Sequence, residues 1–161
     1  MTPVIKYAYV VVLALWLGSI IFFSFVVAPT IFKVLSVEDA ARLQRALFPK
    51  YYLVGIVCAA LGIGCVATLL ALHVFRLPAS ILSLLLLAAC GGADLWMRQG
   101  VTPQMLAVRQ RVAESKAAGR ALGAELEADW KGLHRLSVQV NGAVLLCDLV
   151  LLYVLVYSKV V

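Results

Sequence analysis

Four long apolar runs constrain this chain more than any other feature: residues 7–32, 51–75, 78–97 and 137–157. A helix that crosses a bilayer needs roughly 20 mostly apolar residues, and each run supplies them between charged residues or prolines. Composition closes the other routes. The 161 residues are 64% hydrophobic and 14% charged, against about 45–50% and about 25% in an ordinary soluble domain. A small particle leaves much of its surface outside its core and cannot hide that excess from water. Disorder is excluded by the same excess. The predicted class is all-α: an integral membrane four-helix bundle with amphipathic cytoplasmic helices, one domain over residues 1–161, without repeats. The first run is about twice the length of a signal-peptide core and follows a single lysine, so it reads as a retained helix.

Basic residues orient the bundle. Lys33, Arg42, Arg45 and Lys50 lie between the first and second runs, and Arg98, Arg109, Arg111, Lys116, Arg120, Lys131 and Arg135 between the third and fourth. These are eleven of the 14 lysines and arginines; only Lys6, Arg76 and Lys159 lie on the other side. The positive-inside bias places connectors 33–50 and 98–136 in the cytoplasm and both termini outside, in the inner (cell) membrane. The net charge of +6 is then a topology signal with some attraction to anionic lipid, and no nucleic-acid partner is needed. The expected partners are the bilayer, a second copy of the chain or a membrane complex.

The connectors carry their own helix signals. Ser36 before Glu38 and Asp39 reads as a helix start, with a short surface helix through Leu43 and Leu47 that ends before Pro49. Pro29 predicts a kink or a helix end between Val26 and Phe32. Arg76–Pro78 reads as a tight outer turn. Thr102 reads as an N-cap with Pro103 in the first helical position, opening a helix whose apolar side holds Met105, Leu106, Val108 and Val112. Gly119 and Gly123 interrupt that helix. The spacing of Leu122, Leu126, Trp130 and Leu133 predicts that the fourth helix starts near Leu122 and runs unbroken to Tyr157, about 54 Å. Small residues at four-residue steps, Gly55–Ala59, Ala60–Gly64–Thr68 and Ala88–Gly92 beside Gly91, predict close helix packing within the monomer or along a dimer seam.

The fourth run carries a polar stripe. His134, Asn141 and Asp148 are seven apart, with Ser137 between, and seven residues bring a helix back to nearly the same face. An intramembrane carboxylate marks a functional site by default, so these four residues are the candidates for a ligand site or proton path, with Ser19 or Trp16 as donors to Asp148. Interhelical hydrogen bonding alone is the other reading. Asp94, four residues before Arg98, predicts a helical ion pair. Cys58, Cys90 and Cys147 fall at similar depths on three helices, a conceivable soft-metal cluster for copper or ordinary small core residues. Haem is the other cofactor alternative. His73 and His134 stand a membrane apart and cannot share one haem, which leaves His134 with Met97 or Met105. No cofactor is predicted, and no Walker, HExxH or GxSxG pattern points to an enzyme.

Trp16-Leu-Gly18-Ser-Ile-Ile-Phe22-Phe23 and Val27-Ala-Pro29-Thr-Ile-Phe32 resemble the first helix of the transmembrane protein 205-like family, a domain of unknown function in bacteria. Leu47-Phe48-Pro49-Lys-Tyr51-Tyr52 with Gly55 is similar to its second block, and Leu133-His134-Arg-Leu-Ser137-Val-Gln-Val-Asn141 to its last. The resemblance implies four membrane helices, no established enzymatic activity, and roles for His134, Ser137 and Asn141; Asp148 lies outside the blocks. Through a human relative tied to platinum-drug tolerance it also implies handling of a metal or drug. The resulting expectation is a non-enzymatic multi-pass protein that binds or helps move a small ligand, metal or drug, or supports a membrane complex. Similar aromatic–Gly–Pro patterns occur in copper-resistance membrane domains and in membrane protoporphyrinogen oxidases. The alternative is therefore a haem- or metal-binding redox protein of that kind.

Overall fold

The computed structural model describes residues 2–121 and 123–157, and these are helical almost throughout, with no strand. Helix α1 (Thr2–Phe22) passes through a π turn (Phe23–Val27) into α2 (Ala28–Val34). Helix α3 spans Val37–Ala71. Helix α4 (Leu77–Trp96) passes through a second π turn (Met97–Val101) into α5 (Thr102–Ala117), and α6 spans Ala124–Tyr157. Four of these continuous helical rods are long and apolar enough to cross a membrane. Short links force successive rods antiparallel. Helices α1 and α4 each pack on α3 and α6, so the rods form a ring in the order α1, α3, α4, α6, with α1 and α4 across the diagonal. One end of the bundle carries the start of α1 and the end of α6. The other, here the basic end, carries the links around residues 35–36 and 118–123.

The rods are longer than the apolar runs predict, because connectors 33–50 and 98–136 are mostly helical extensions of the spans. Ser36 caps α3 as expected: its Oγ accepts from the Asp39 N–H at 3.1 Å. That helix does not end before Pro49, which sits inside its 35 residues. An interior proline costs ~3 kcal/mol. Ala40, Ala41, Gln44, Phe48 and Tyr52 are all buried around it. At about 1.5–3 kcal/mol for each large apolar side chain, that packing outweighs one lost hydrogen bond. The second rod also stops earlier than residue 75, at Ala71.

The other two rod-interior prolines are absorbed differently. The residue before each donates five positions back rather than four: Ala28 N–H to Phe23 O before Pro29, and Thr102 N–H to Met97 O before Pro103. A proline ring normally strikes the carbonyl four residues earlier, and the widened turn gives it room. Helix α2 therefore continues to Val34 instead of ending between Val26 and Phe32. Thr102 is no N-cap; its Oγ1 is buried with no hydrogen-bond partner among the described residues. The fourth rod is unbroken from Ala124 over 34 residues, about 51 Å, while Leu122 and Lys159 lie outside the described residues.

Two helix ends share one capping geometry. At the turn between α3 and α4, His73 N–H donates to Leu70 O and Val74 N–H to Leu69 O. After α5, Gly119 N–H donates to Lys116 O and Arg120 N–H to Ser115 O. This is the Schellman pattern, whose C′ residue is left-handed, and φ is +65° at Gly119 but +54° at the non-glycine His73.

Inside the ring, Tyr9, Leu13, Trp16, Val66, Leu69, Leu87 and Leu151 are all essentially inaccessible. Val10, Leu15, Val54, Val57, Leu61, Leu85, Leu146 and Val150 face outward on all four rods, where lipid rather than water is their solvent. Glycine decides where rods touch. A Cβ at Gly91 would stand 2.7 Å from that of Ala59, and one at Gly62 2.8 Å from Leu87 Cδ2. Gly64 and Gly92 have nothing within 4 Å, so only part of the small-residue pattern is packing within this chain.

Candidate functional site

At the basic end, α1, α2, α3, α5 and α6 enclose a cleft of about 420 Å³. Its apolar walls include Ile20, Phe23, Phe25, Phe48, Met105 and Leu145, and its polar groups are Ser24, Gln44, Arg109, His134, Ser137 and Asn141. Three of the four predicted stripe residues meet here. Ser137 is buried, Asn141 half-buried, and His134 exposed at the rim. Tyr51 Oη donates to Asn141 Oδ1 at 3.4 Å, and Tyr52 Oη lies 3.4 Å from Ser137 Oγ. A run of stacked groups, some in the wall and some behind it, supports the cleft. The Arg109 guanidinium lies 4.5 Å from the Trp130 ring centre and 5.5 Å from that of Phe48. Trp130 stacks on His134 at 6.0 Å, and Phe23 stacks on Tyr51 at 4.4 Å. A guanidinium between two aromatic faces is held electrostatically and in a fixed plane.

Asp148, the fourth stripe residue, lies outside the cleft lining. It is wholly inaccessible, and neither carboxyl oxygen has a hydrogen-bond partner among the described residues. Lipid exposure would cost roughly 2.5–3.5 kcal/mol on insertion scales, which is reason enough for its inward orientation. Its expected donors are engaged elsewhere. Ser19 Oγ donates to the Trp16 backbone carbonyl at 2.7 Å, and the Trp16 side chain bonds Asp94. Asp94 is buried, and among the described residues no ion pair joins it to Arg98; α4 turns it into the bundle rather than along its own surface. It reaches Trp16 across the ring diagonal because Gly55 of α3 leaves the space. A Cβ there would collide with the Asp94 carboxyl and stand 2.9 Å from Trp16 Nε1. Asp94 also lies within electrostatic reach of Asp148. The bundle thus buries two carboxyl groups, one of which the sequence places on a helix surface.

Of the motif residues, Trp16, Phe48 and Gly55 face inward, Pro49 is half-buried, and Gly18 and Pro29 are exposed, Pro29 at the cleft edge. The cysteines are free. Cys90 lies against Cys147, and among the described residues no three His, Cys, Asp or Glu side chains converge to hold a metal ion. His73 and His134 stand at opposite ends, as predicted. Met105 shares the cleft with His134, while Met97 packs behind it with Tyr52.

Sequence reasoning missed Gln44, Arg109 and Trp130 as site residues. A signal was present for Arg109: it is the charge on the apolar side of α5, four residues after Met105 and three before Val112. Gln44 gave none, since an isolated glutamine on an amphipathic helix is ordinary.

Four apolar antiparallel rods, an outward-facing apolar surface and a cleft with a few polar groups at one end define a multi-pass membrane helix bundle. The family model for a domain of unknown function, DUF4149, matches residues 11–114. The chain belongs to that family of uncharacterised proteins. The match runs from α1 to near the end of α5, so Gln44, Phe48, Asp94 and Arg109 lie within it, and all of α6 lies beyond it. Comparison with curated proteins and with solved structures gives no match.

Proposed function

We propose that this chain is a non-enzymatic membrane protein that binds a small amphipathic ligand in the basic-end cleft and helps move it between bilayer and cytoplasm. The observation that carries this is the convergence of Gln44, Arg109, His134, Ser137 and Asn141, from three helices, on one mostly apolar cavity. Sites for small molecules are of this size, apolar with a few placed polar groups. The cleft also reaches the lipid-facing surface at Phe25 and Val138, which are 71% and 57% exposed, so a ligand can enter from the bilayer. The resemblance to transmembrane protein 205-like proteins supports ligand handling over catalysis. The reading places the basic end in the cytoplasm of the inner membrane and takes no resident cofactor and no chemical step.

The test fills the cleft. Gly142 lines it, and a Cβ there meets nothing within 4 Å, so Gly142→Phe adds a ring to empty space. Native mass spectrometry of the protein in a neutral maltoside detergent should show a one-to-one small-molecule adduct on the wild type. The variant should lack it, with its thermal midpoint unchanged. Equal adducts on both proteins, or none on either, would overturn the reading. A Soret band in the same preparation would favour the redox alternative, for which Met105 and His134 stand in one cleft.

A further inference from the structure

A second cavity of about 240 Å³ adjoins the cleft, and Gln44 and Arg109 line both. Its other walls are Leu35, Ala40, Ala41, Val112, Lys116 and Trp130. The two cavities differ in chemistry. The larger carries apolar side chains out to the lipid-facing surface. The smaller lies further toward the basic end and has two cationic side chains in its wall. Neither lining contains a carboxylate. At their shared boundary, Arg109 is only 6% exposed and Gln44 2%, so charge and amide are built into the wall rather than lying on a surface. The guanidinium carbon lies over the Phe48 and Trp130 rings, and such contacts hold the group in place. A planar guanidinium fork backed by the Lys116 ammonium suits phosphate oxygens in particular.

We infer that the two cavities form one site for a single-chain amphiphile with a phosphomonoester head: the chain in the larger cleft, the phosphate at Gln44, Arg109 and Lys116. This rests on the cleft reading above and specifies its ligand. The tail enters from the lipid side between Phe25 and Val138. The head passes inward to the cations, as its charge requires. A merely basic surface would attract anionic lipid without a stoichiometry and without regard to which cation is removed. The built site makes Lys116 matter and Arg111, which lines neither cavity, not matter.

The probes are lysophosphatidic acid, lysophosphatidylcholine with the same chain, and inorganic phosphate, offered to the full chain in neutral maltoside detergent and read by native mass spectrometry. The expected result is one lysophosphatidic acid per chain, about tenfold more occupied than lysophosphatidylcholine, as a charge-assisted contact predicts. Lys116→Gln and Gln44→Leu should each lower that occupancy severalfold, and Arg111→Gln should leave it unchanged. Arg109→Lys keeps the charge, loses the fork and should also weaken the complex; an unchanged thermal midpoint separates that from misfolding. Equal occupancy by the two lipids, or equal loss with Arg111→Gln, overturns the head assignment. If both lipids are then still excluded by Gly142→Phe, the cleft reading stands without it. Inorganic phosphate displacing the lipid at equal concentration overturns the joint site, because the chain would then add nothing. Failure of both lipids to bind in a saturable way removes this inference and the cleft reading together.

Discussion

Four single positions turn the geometry into measurable energies. His73 occupies the left-handed C′ position that glycine fills at Gly119, and a side chain there strains the backbone. His73→Gly should raise the thermal midpoint of the detergent-solubilised protein, by about 0.5–1 kcal/mol of stability. Gly119→Ala should lower it by a similar amount. A fall on His73→Gly would show that the imidazole makes a contact worth more than the strain. Gly55→Ala should drive the Asp94 carboxyl away from Trp16. Near-ultraviolet circular dichroism of the indole should change, and about 1–3 kcal/mol should be lost, as in other overpacked cores. The Asp148 carboxyl oxygens are inaccessible and have no hydrogen-bond partner among the described residues, and a buried polar group without partners is destabilising. Asp148→Leu should therefore raise the thermal midpoint, by roughly 1–3 kcal/mol, and leave lysophosphatidic acid binding intact. A lower midpoint would show that a bound ion or water satisfies the carboxyl. The environments of His73, Gly55 and Asp94 cannot be read from local sequence. His73 looks like any loop histidine, Gly55 like any small helix residue, and Asp94 is placed opposite Arg98 by spacing alone.

At the scale of elements, the prolines show how far local rules reach. Pro29, Pro49 and Pro103 each signal a break, and none ends its helix. In the first and third rods one widened turn ahead of the proline removes the steric conflict, and in the second the buried face of α3 outweighs it. Widened turns of this kind recur at functional sites because they re-aim side chains. Here the first one carries Phe23 and Ser24 into the cleft wall. Pro29→Ala removes the need for the wide turn. The expected outcome is a protein that accumulates normally but binds lysophosphatidic acid several times more weakly, because Phe23 rotates off Tyr51. Unchanged binding would show that packing, not the proline, holds the π turn. Two caps were legible: Ser36 starts α3 and Gly119 closes α5 where local chemistry places them, whereas Thr102 caps nothing. So was the continuity of α6, whose pattern has no proline to interrupt it.

For the molecule as a whole, the split of basic residues predicts which end faces the cytoplasm. In intact cells, a cysteine at Arg120 in a cysteine-free background should resist a membrane-impermeant maleimide added outside, and one at Arg76 should react. Efficient labelling at position 120 would invert the threading. The apolar runs by themselves determined the class, the number of crossings and their alternating direction, because each run must satisfy its own backbone inside lipid before it meets any neighbour. The seven-residue spacing on α6 likewise put Ser137, Asn141 and Asp148 on one inward side. Only the packed bundle decided which residues from other rods meet that side. Arg109 and Gln44 come to the cleft, and Trp16 goes to Asp94 rather than Asp148, because ring order and the gap at Gly55 fix who faces whom. Spacing along one helix carries no information about the partner across the bundle.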